Sequence, residues 1–220
     1  MTEPLLPYTG RAAAGRVLAS WLAAREWRDP LVLALPRGGV PVAAEVARAL
    51  RAPVDVFVIR KLGHPRQPEL GLGAVAEGGE PMYDARMMDT VGLAREELAA
   101  VEKREVVELE RRVRVYRSGR PAPGVAGRDV IVVDDGLATG STARAALRAL
   151  AARAPARLVL AVPVGAIETV VELRDDGYDV VVPAAPLDFR AVGQWYRSFD
   201  QLTDADVVRI LDCARTGDAP

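Results

Sequence analysis

Two adjacent carboxylates followed by a run of small hydroxylated residues stand out in Val130-Ile-Val-Val-Asp134-Asp135-Gly-Leu-Ala138-Thr139-Gly140-Ser141-Thr142. The apolar stretch reads as a buried strand and the small residues as a turn that opens a helix. In an open α/β sheet, ligands sit outside the carboxyl ends of strands, and this is such an end. Ala138, Thr139, Gly140, Ser141 and Thr142 offer successive backbone N–H groups, hydroxyls and the positive end of a helix, which together cradle a phosphate dianion. Acids beside such a cradle repel anions unless they have another task. Asp134 and Asp135 suit vicinal ribose hydroxyls or a metal ion, so the expected guest is a sugar phosphate. A P-loop needs lysine where this chain has Ser141, and a dinucleotide fingerprint needs a G-x-G-x-x-G that this stretch lacks. An ordinary capped helix would use Ser141 or Thr142 as its N-cap and leave the paired acids unexplained.

A second strand, tight turn and helix start occurs at Leu33-Ala-Leu-Pro-Arg37-Gly38-Gly39-Val-Pro41. The two glycines let the backbone approach a ligand, and Pro41 suits a first helical turn. A further strand ends in Ile59-Arg60-Lys61-Leu-Gly-His64-Pro. Only Lys61 and Lys103 are lysines among 29 basic residues, so a lysine here reads as a compact ammonium that is wanted at that place. His64 has no acid or thiol at ligand spacing and reads as a loop residue.

The elements that must position these residues alternate along the chain. Strand-length apolar runs at Leu31–Leu35, Val54–Ile59, Val130–Val133, Leu158–Val162 and Tyr178–Val182 are nearly continuous Val, Ile and Leu. Strands buried on both faces look like this. Helices start near Pro41, Thr142 and Ala166, so the pattern predicts an α/β fold: an open, mainly parallel sheet with helices on both faces. One domain over residues 1–220 is expected, with a flexible loop or hairpin at residues 60–83, a long charged helix at residues 93–117 and a C-terminal hood at residues 183–214. The glycines of Glu69–Gly79 would permit closure over a substrate and exclusion of water.

The strand–acid–acid–turn–helix stretch resembles the phosphoribosyl pyrophosphate signature of type I phosphoribosyltransferases. The Arg-Gly-Gly turn, the Arg-Lys-x-Gly loop and the aromatic tail are similar to a bacterial branch of that family. The resemblance implies that Asp134 and Asp135 hold the ribose hydroxyls and residues 138–142 the 5′-phosphate. It further implies that Arg37, Gly38, Gly39 and Lys61 take the pyrophosphate, with Lys61, Arg60 and Arg37 stabilising its departure. Mg²⁺ would be held mainly by the substrate, with Asp134 and Asp135 as possible protein ligands. Members acting on 6-oxopurines carry an aspartate where this chain has Ala138. That proton acceptor is therefore missing, and Glu69, Glu77 and Asp188 are the other candidates.

The segment Pro183–Phe199 is rich in rings in a chain with only 5% aromatics, and aromatic faces suit a flat heterocycle. Phe189, Val192 and Trp195 are the candidate acceptor-binding residues, and core closure is an equal reading for each ring. The chain's 29 basic and 30 acidic residues nearly cancel, giving no field that would attract nucleic acid or an anionic membrane. No apolar run reaches the ~20 residues that cross a bilayer, so a cytoplasmic protein is expected. The single Cys213 excludes a disulfide framework. The expected activity is transfer of ribose 5-phosphate from phosphoribosyl pyrophosphate to a small nitrogen nucleophile, by a homodimer. The alternative is a regulator that senses phosphoribosyl pyrophosphate or a nucleotide through the same pocket without catalysis.

Overall fold

The computed structural model describes residues 4–216; residues 1–3 and 217–220 of the expected domain lie outside them. In chain order the elements are α1 (Arg11–Leu22), β1 (Pro30–Ala34), α2 (Gly39–Leu50), β2 (Val54–Val56), β3 (Ile59–His64), β4 (Gln67–Ala76) and β5 (Met82–Tyr83). There follow α3 (Ala85–Val91), α4 (Ala99–Arg117), β6 (Asp129–Val133), α5 (Ser141–Ala151), β7 (Arg157–Ala161), α6 (Ile167–Asp175), β8 (Asp179–Val181) and α7 (Asp204–Thr216).

Five strands form a parallel sheet in the order β2-β1-β6-β7-β8, as the alternating pattern predicts. Successive side chains of a strand point to opposite faces. Val32, Ala34, Ile131 and Val133 accordingly enter a core beneath α1, α2, α4 and α7. Leu31, Leu33, Val130 and Val132 enter the other core, with Leu147 and Leu150 of α5 and Leu173 of α6. The β1–β6 register sets Leu33 beside Val132 and Ala34 beside Val133, so both strands end at the same level. That level is where the paired acids and the Arg-Gly-Gly turn emerge. Among the described residues no helix is long and apolar enough to cross a membrane.

The run read as one strand over Val54–Ile59 is divided between two sheets. Phe57 still donates its N–H to Ala34 (2.9 Å), but the Val58 N–H goes to the Glu77 carboxylate (3.2 Å) and its carbonyl accepts from the Glu77 N–H (3.0 Å). The chain is thereby handed to a second, antiparallel sheet in the order β3-β4-β5. Residues 60–83 form ordered strands here, with register shifts at Gly63. A β-carbon on Gly71 would lie 2.6 Å from Lys61 Cε, so glycine there leaves the lysine its path across the sheet.

The helix α1 has no counterpart in the sequence reading. Its contact with α2 is made by Gly15, where a β-carbon would lie 2.9 Å from both Glu45 Cβ and the Val42 carbonyl oxygen. Its buried face mixes the small Ala14, Gly15 and Ala19 with Leu18 and Leu22, a short apolar stripe that the sequence reading passed over. The long charged helix begins at Ala99 after a short 3₁₀ turn at Arg95–Leu98, and it buries Val101, Leu109 and Tyr116. Its apolar side packs in the α2/α7 core beside β2 and β3.

Candidate active site

The chain leaves β6 through Asp134 and Asp135 and enters α5 at Ser141. The N-cap of α5 is Gly140, in the left-handed conformation (φ 72°), and no side chain caps the helix. Ser141 and Thr142 are therefore not spent on capping, and the first-turn N–H groups face outward as an anion site. The loop is pinned from behind by Thr169 Oγ1, which donates to the Ala138 carbonyl (2.6 Å), and by an exchange of backbone bonds with Val164 and Ala166 through Leu137. The Thr139 and Ser141 hydroxyls lie 3.2 Å apart. A cavity of about 230 Å³ is lined by Asp134 to Ala143, Val162 and Val192. The two acids and all five cradle residues thus face one space.

The carboxylates are electrostatically unusual. Burial, together with the neighbouring Asp135 charge, pushes Asp134 well above the ordinary carboxylate range. Burial also raises Asp135, and the Arg11 guanidinium opposes that rise. Arg11 Nε donates to Asp135 Oδ2 at 2.8 Å, and both side chains are nearly buried, at 12% and 13% exposure. Arg11 Nη1 also donates to the Asp200 carbonyl (2.9 Å), and its guanidinium lies 3.9 Å from the Phe199 ring centroid. The Asp135 N–H donates to Asp134 Oδ1 (2.8 Å), and the Tyr196 hydroxyl donates to the Asp135 carbonyl. Arg11, Tyr196 and Phe199 were missed by sequence reasoning. Gly10-Arg11-Ala12 carries no local signature, and Arg11 meets an acid 124 residues away.

The Arg-Gly-Gly turn lies directly against these acids. A β-carbon on Gly38 would collide with the Asp135 carboxylate, and one on Gly39 would lie 2.5 Å from the Val133 carbonyl oxygen. The Pro36–Arg37 peptide is cis. Arg37 is half-buried, its side chain makes no hydrogen bond or ion pair to a described residue, and it acts through its charge on the Tyr116 hydroxyl.

Arg60 and Lys61 occupy opposite faces of β3, as consecutive strand residues must. Arg60 turns toward α4, where Nε and Nη2 donate to Glu105 Oε2 at 2.9 and 2.6 Å. It is not brought to the cradle. Lys61 faces α5, where it lines a second cavity of about 250 Å³ together with Thr139 and Ser141. Among the acids considered as proton acceptors, Glu77 is buried in an ion pair with Arg117 (2.6 Å) and so is already engaged. Glu69 and Asp188 are exposed.

On the acceptor side Val192 overhangs the cradle, since a β-carbon on Gly136 would lie 2.5 Å from Val192 Cγ1. Phe189 and Trp195 stack with centroids 6.4 Å apart and planes at 24°. Both pack partly against the buried Tyr8, Val164 and Tyr196 and so close a small core, and of the three acceptor-side candidates Val192 lines the cradle cavity. The Trp195 Nε1 atom is buried and has no hydrogen-bond partner among the described residues.

Known proteins share both the sequence motifs and the fold. Residues 3–193 match the family model described as "Phosphoribosyl transferase domain". A Mycobacterium tuberculosis protein, "Putative phosphoribosyl transferase Rv0571c", is 44% identical over 207 residues, which are 94% of this chain and 47% of that protein. The chain spans about half the length of the curated relatives it matches. The crystal structure of TT1426 from Thermus thermophilus is 43% identical, with a TM-score of 0.81 over 93% of this chain and 97% of that one. A Neisseria gonorrhoeae protein solved with bound ppGpp shares the fold at 16% identity and a TM-score of 0.51, covering 98% of this chain and 99% of that one. The match across both strand–turn–helix motifs shows that this chain belongs to the phosphoribosyl transferase domain family and has its type I fold.

Proposed function

We propose that the chain transfers the ribose 5-phosphate group of phosphoribosyl pyrophosphate to a nitrogen nucleophile on a heterocycle-like acceptor. The C1–O bond to pyrophosphate breaks, and a C1–N bond forms. The observation that carries this reading is the convergence of paired acids, phosphate cradle and Arg-Gly-Gly turn at the carboxyl ends of β1 and β6.

In this reading residues 138–142 bind the 5′-phosphate, and Asp134 and Asp135 hold the ribose hydroxyls. The raised carboxyl range of Asp134 suits a guest that donates hydrogen bonds or carries positive charge, either of which favours the ionised acid. As C1–O cleavage runs ahead of attack, the ribose acquires positive charge, and the acids below it are placed to stabilise that charge. Arg37 with the Gly38 and Gly39 amides receives the leaving pyrophosphate, and the Arg37 side chain has no competing partner among the described residues. Val192, Phe189 and Trp195 border the acceptor.

Among the described residues no group of three or more His, Cys, Asp or Glu is arranged to hold a metal. Asp134 and Asp135 are the residues that would help hold Mg²⁺, which would otherwise be held by the substrate. Bound in that way, Mg²⁺ would neutralise charge developing on the pyrophosphate.

The test is pyrophosphate release from phosphoribosyl pyrophosphate and Mg²⁺, with single additions of purines, pyrimidines, nicotinate-like rings and ammonia. Release that depends on one compound is the expected result and identifies the acceptor. Saturable binding of phosphoribosyl pyrophosphate with no release from any compound would overturn the transferase reading in favour of sensing.

A further inference from the structure

The proposed transfer gives the pyrophosphate to Arg37, Gly38 and Gly39 and leaves Lys61, which the family resemblance had placed there, without a task, together with the cavity it lines between the antiparallel sheet and α5. The cavity holds about 250 Å³ and shares Thr139 and Ser141, two of the residues assigned to the 5′-phosphate, with the cradle. One wall is the face of α5 that carries Ser141, Arg144 and Arg148, spaced to lie side by side. The opposite wall supplies Lys61, for which Gly71 leaves room.

The charges in this space are not balanced from within. Arg144 is neutralised by ion pairs to Glu172 and Asp176. The Arg148 side chain makes no hydrogen bond or ion pair to a described residue, and it is exposed. Lys61 Nζ donates to the Glu69 carbonyl, a neutral acceptor that leaves its charge uncompensated. Asp84 is the one acid on the lining, and its Oδ1 accepts the Met87 N–H as the cap of α3, so the space holds one carboxylate against Lys61 and Arg148. Lys61 and Arg148, neither in an ion pair with a described residue, therefore give this space an excess of positive charge beside a phosphate cradle with which it shares Thr139 and Ser141. Phosphoribosyl pyrophosphate carries one phosphate at its 5′ end, and the turn assigned to its pyrophosphate, Arg37–Gly39, does not line this cavity.

Resting on the assignment of residues 138–142 to the 5′-phosphate, we propose that this cavity is a polyphosphate annex, which receives the second and third phosphates of nucleoside 5′-di- and triphosphates. Such nucleotides bind with the α-phosphate in the cradle and the further phosphates between Lys61 and Arg148. They compete with phosphoribosyl pyrophosphate, and the nucleotide pool thereby reports on this site.

The experiment is calorimetric titration of the full chain with AMP, ADP, ATP and phosphoribosyl pyrophosphate, without Mg²⁺ and at fixed ionic strength. Affinity is expected to rise about tenfold from AMP to ADP, the change given by about 1.4 kcal/mol from one added charge-assisted contact. In Arg148→Glu the ADP and ATP affinities should fall to the AMP level, while AMP and phosphoribosyl pyrophosphate change by less than about threefold, and Arg148→Lys should keep the rise. Equal affinities along the AMP, ADP and ATP series would overturn the annex while leaving the transferase reading intact. A loss for phosphoribosyl pyrophosphate in Arg148→Glu as large as for ADP would also overturn it, since the cavity would then be the pyrophosphate site. No binding of phosphoribosyl pyrophosphate to the unaltered chain would remove the cradle assignment and the annex together. Melting temperatures of both variants near that of the parent would show that the affinity changes are not losses of fold.

Discussion

Asp134 and Asp135 are two neighbouring acids with different surroundings, and substitution should separate their roles. Asp135 has a guanidinium at 2.8 Å, whereas Asp134 accepts from the Asp135 N–H at the same distance and stands beside a like charge. A buried carboxylate short of partners costs stability. Asp134→Asn should therefore melt about 2–4 °C higher than the parent at neutral pH, corresponding to roughly 1 kcal/mol in a domain of this size. A lower melting temperature would show that the ionised pair is compensated in the free protein. Asp135→Asn breaks a nearly buried ion pair and should not be stabilised. If the acids steady a developing positive charge, this variant should lose about 10²- to 10³-fold in rate of pyrophosphate release. Unchanged turnover would remove Asp135 from the site. The acids were legible in the sequence because acid pair, cradle and helix start lie within one contiguous stretch. Arg11 was not, because its role exists only once α1 has been folded against β6.

The antiparallel sheet owes its placement to a buried ionic knot. Arg117, at the end of α4 and 4% exposed, donates to Asp55 Oδ2 (3.0 Å), the Val56 carbonyl (2.9 Å) and Glu77 Oε1 (2.6 Å). It thus joins the end of β2 to the chain just after β4. Asp55 keeps a second ion pair to Arg215 (3.0 Å), but Glu77 would be left buried without its cation, and breaking a buried pair typically costs ~3–5 kcal/mol. Arg117→Ala should lower the urea midpoint accordingly, and hydrogen exchange should quicken first in residues 59–76. Uniform protection across that segment would mean that the strands hold their place without the knot. Midway along α4, the Arg111 side chain, with Arg112, holds the Glu108 carboxyl down at about 2 against opposing burial. The Asp204 carboxyl, raised by burial, is lowered overall by the Tyr116 hydroxyl and Arg111, which tie α4 to α7. Both folded-state values lie below the ordinary ones, so this stabilisation is present above about pH 4.5 and is lost as pH falls through the folded values. Thermal melts between about pH 5 and 2 should therefore converge for parent and Glu108→Gln. Because Glu108 is 28% exposed and screened, the separation at pH 5 should stay within about 4 °C. A separation that grows on acidification would contradict the sign. The same elements show what a sequence can disclose. Long apolar runs and the charged helix carry strong patterns, whereas β3, β4 and β5 read only as a loop or hairpin among Gly and Pro, because close contacts at Gly63, Gly71 and Gly73, not side-chain burial, select those glycines.

At the scale of the whole molecule the segment before α1 meets the segment that follows β8. Tyr8 donates its N–H to the Trp195 carbonyl (2.8 Å), accepts from the Arg197 N–H (2.8 Å), and its hydroxyl donates to the Pro163 carbonyl (3.0 Å). Its ring meets Tyr196 at 5.7 Å. This small bridge lies three residues before Arg11, whose guanidinium reaches Asp135, and one residue from Tyr196, whose hydroxyl holds the Asp135 carbonyl. Asp135 is therefore held by two segments far from it in sequence, through Arg11 and through Tyr196. Losing the ring should be felt in the fold and at the acid. Tyr8→Ala is expected to cost ~3–5 kcal/mol in urea unfolding, as large buried rings do. Its affinity for phosphoribosyl pyrophosphate, measured below the unfolding transition, should fall with it. Tyr8→Phe removes only one hydrogen bond, should cost ~0.5–1.5 kcal/mol, and should bind as the parent does. If Tyr8→Ala lost stability but kept full affinity, the first helix alone would suffice to hold Arg11 against Asp135. The bridge between the two segments would then serve the acceptor-side rings and not the ribose.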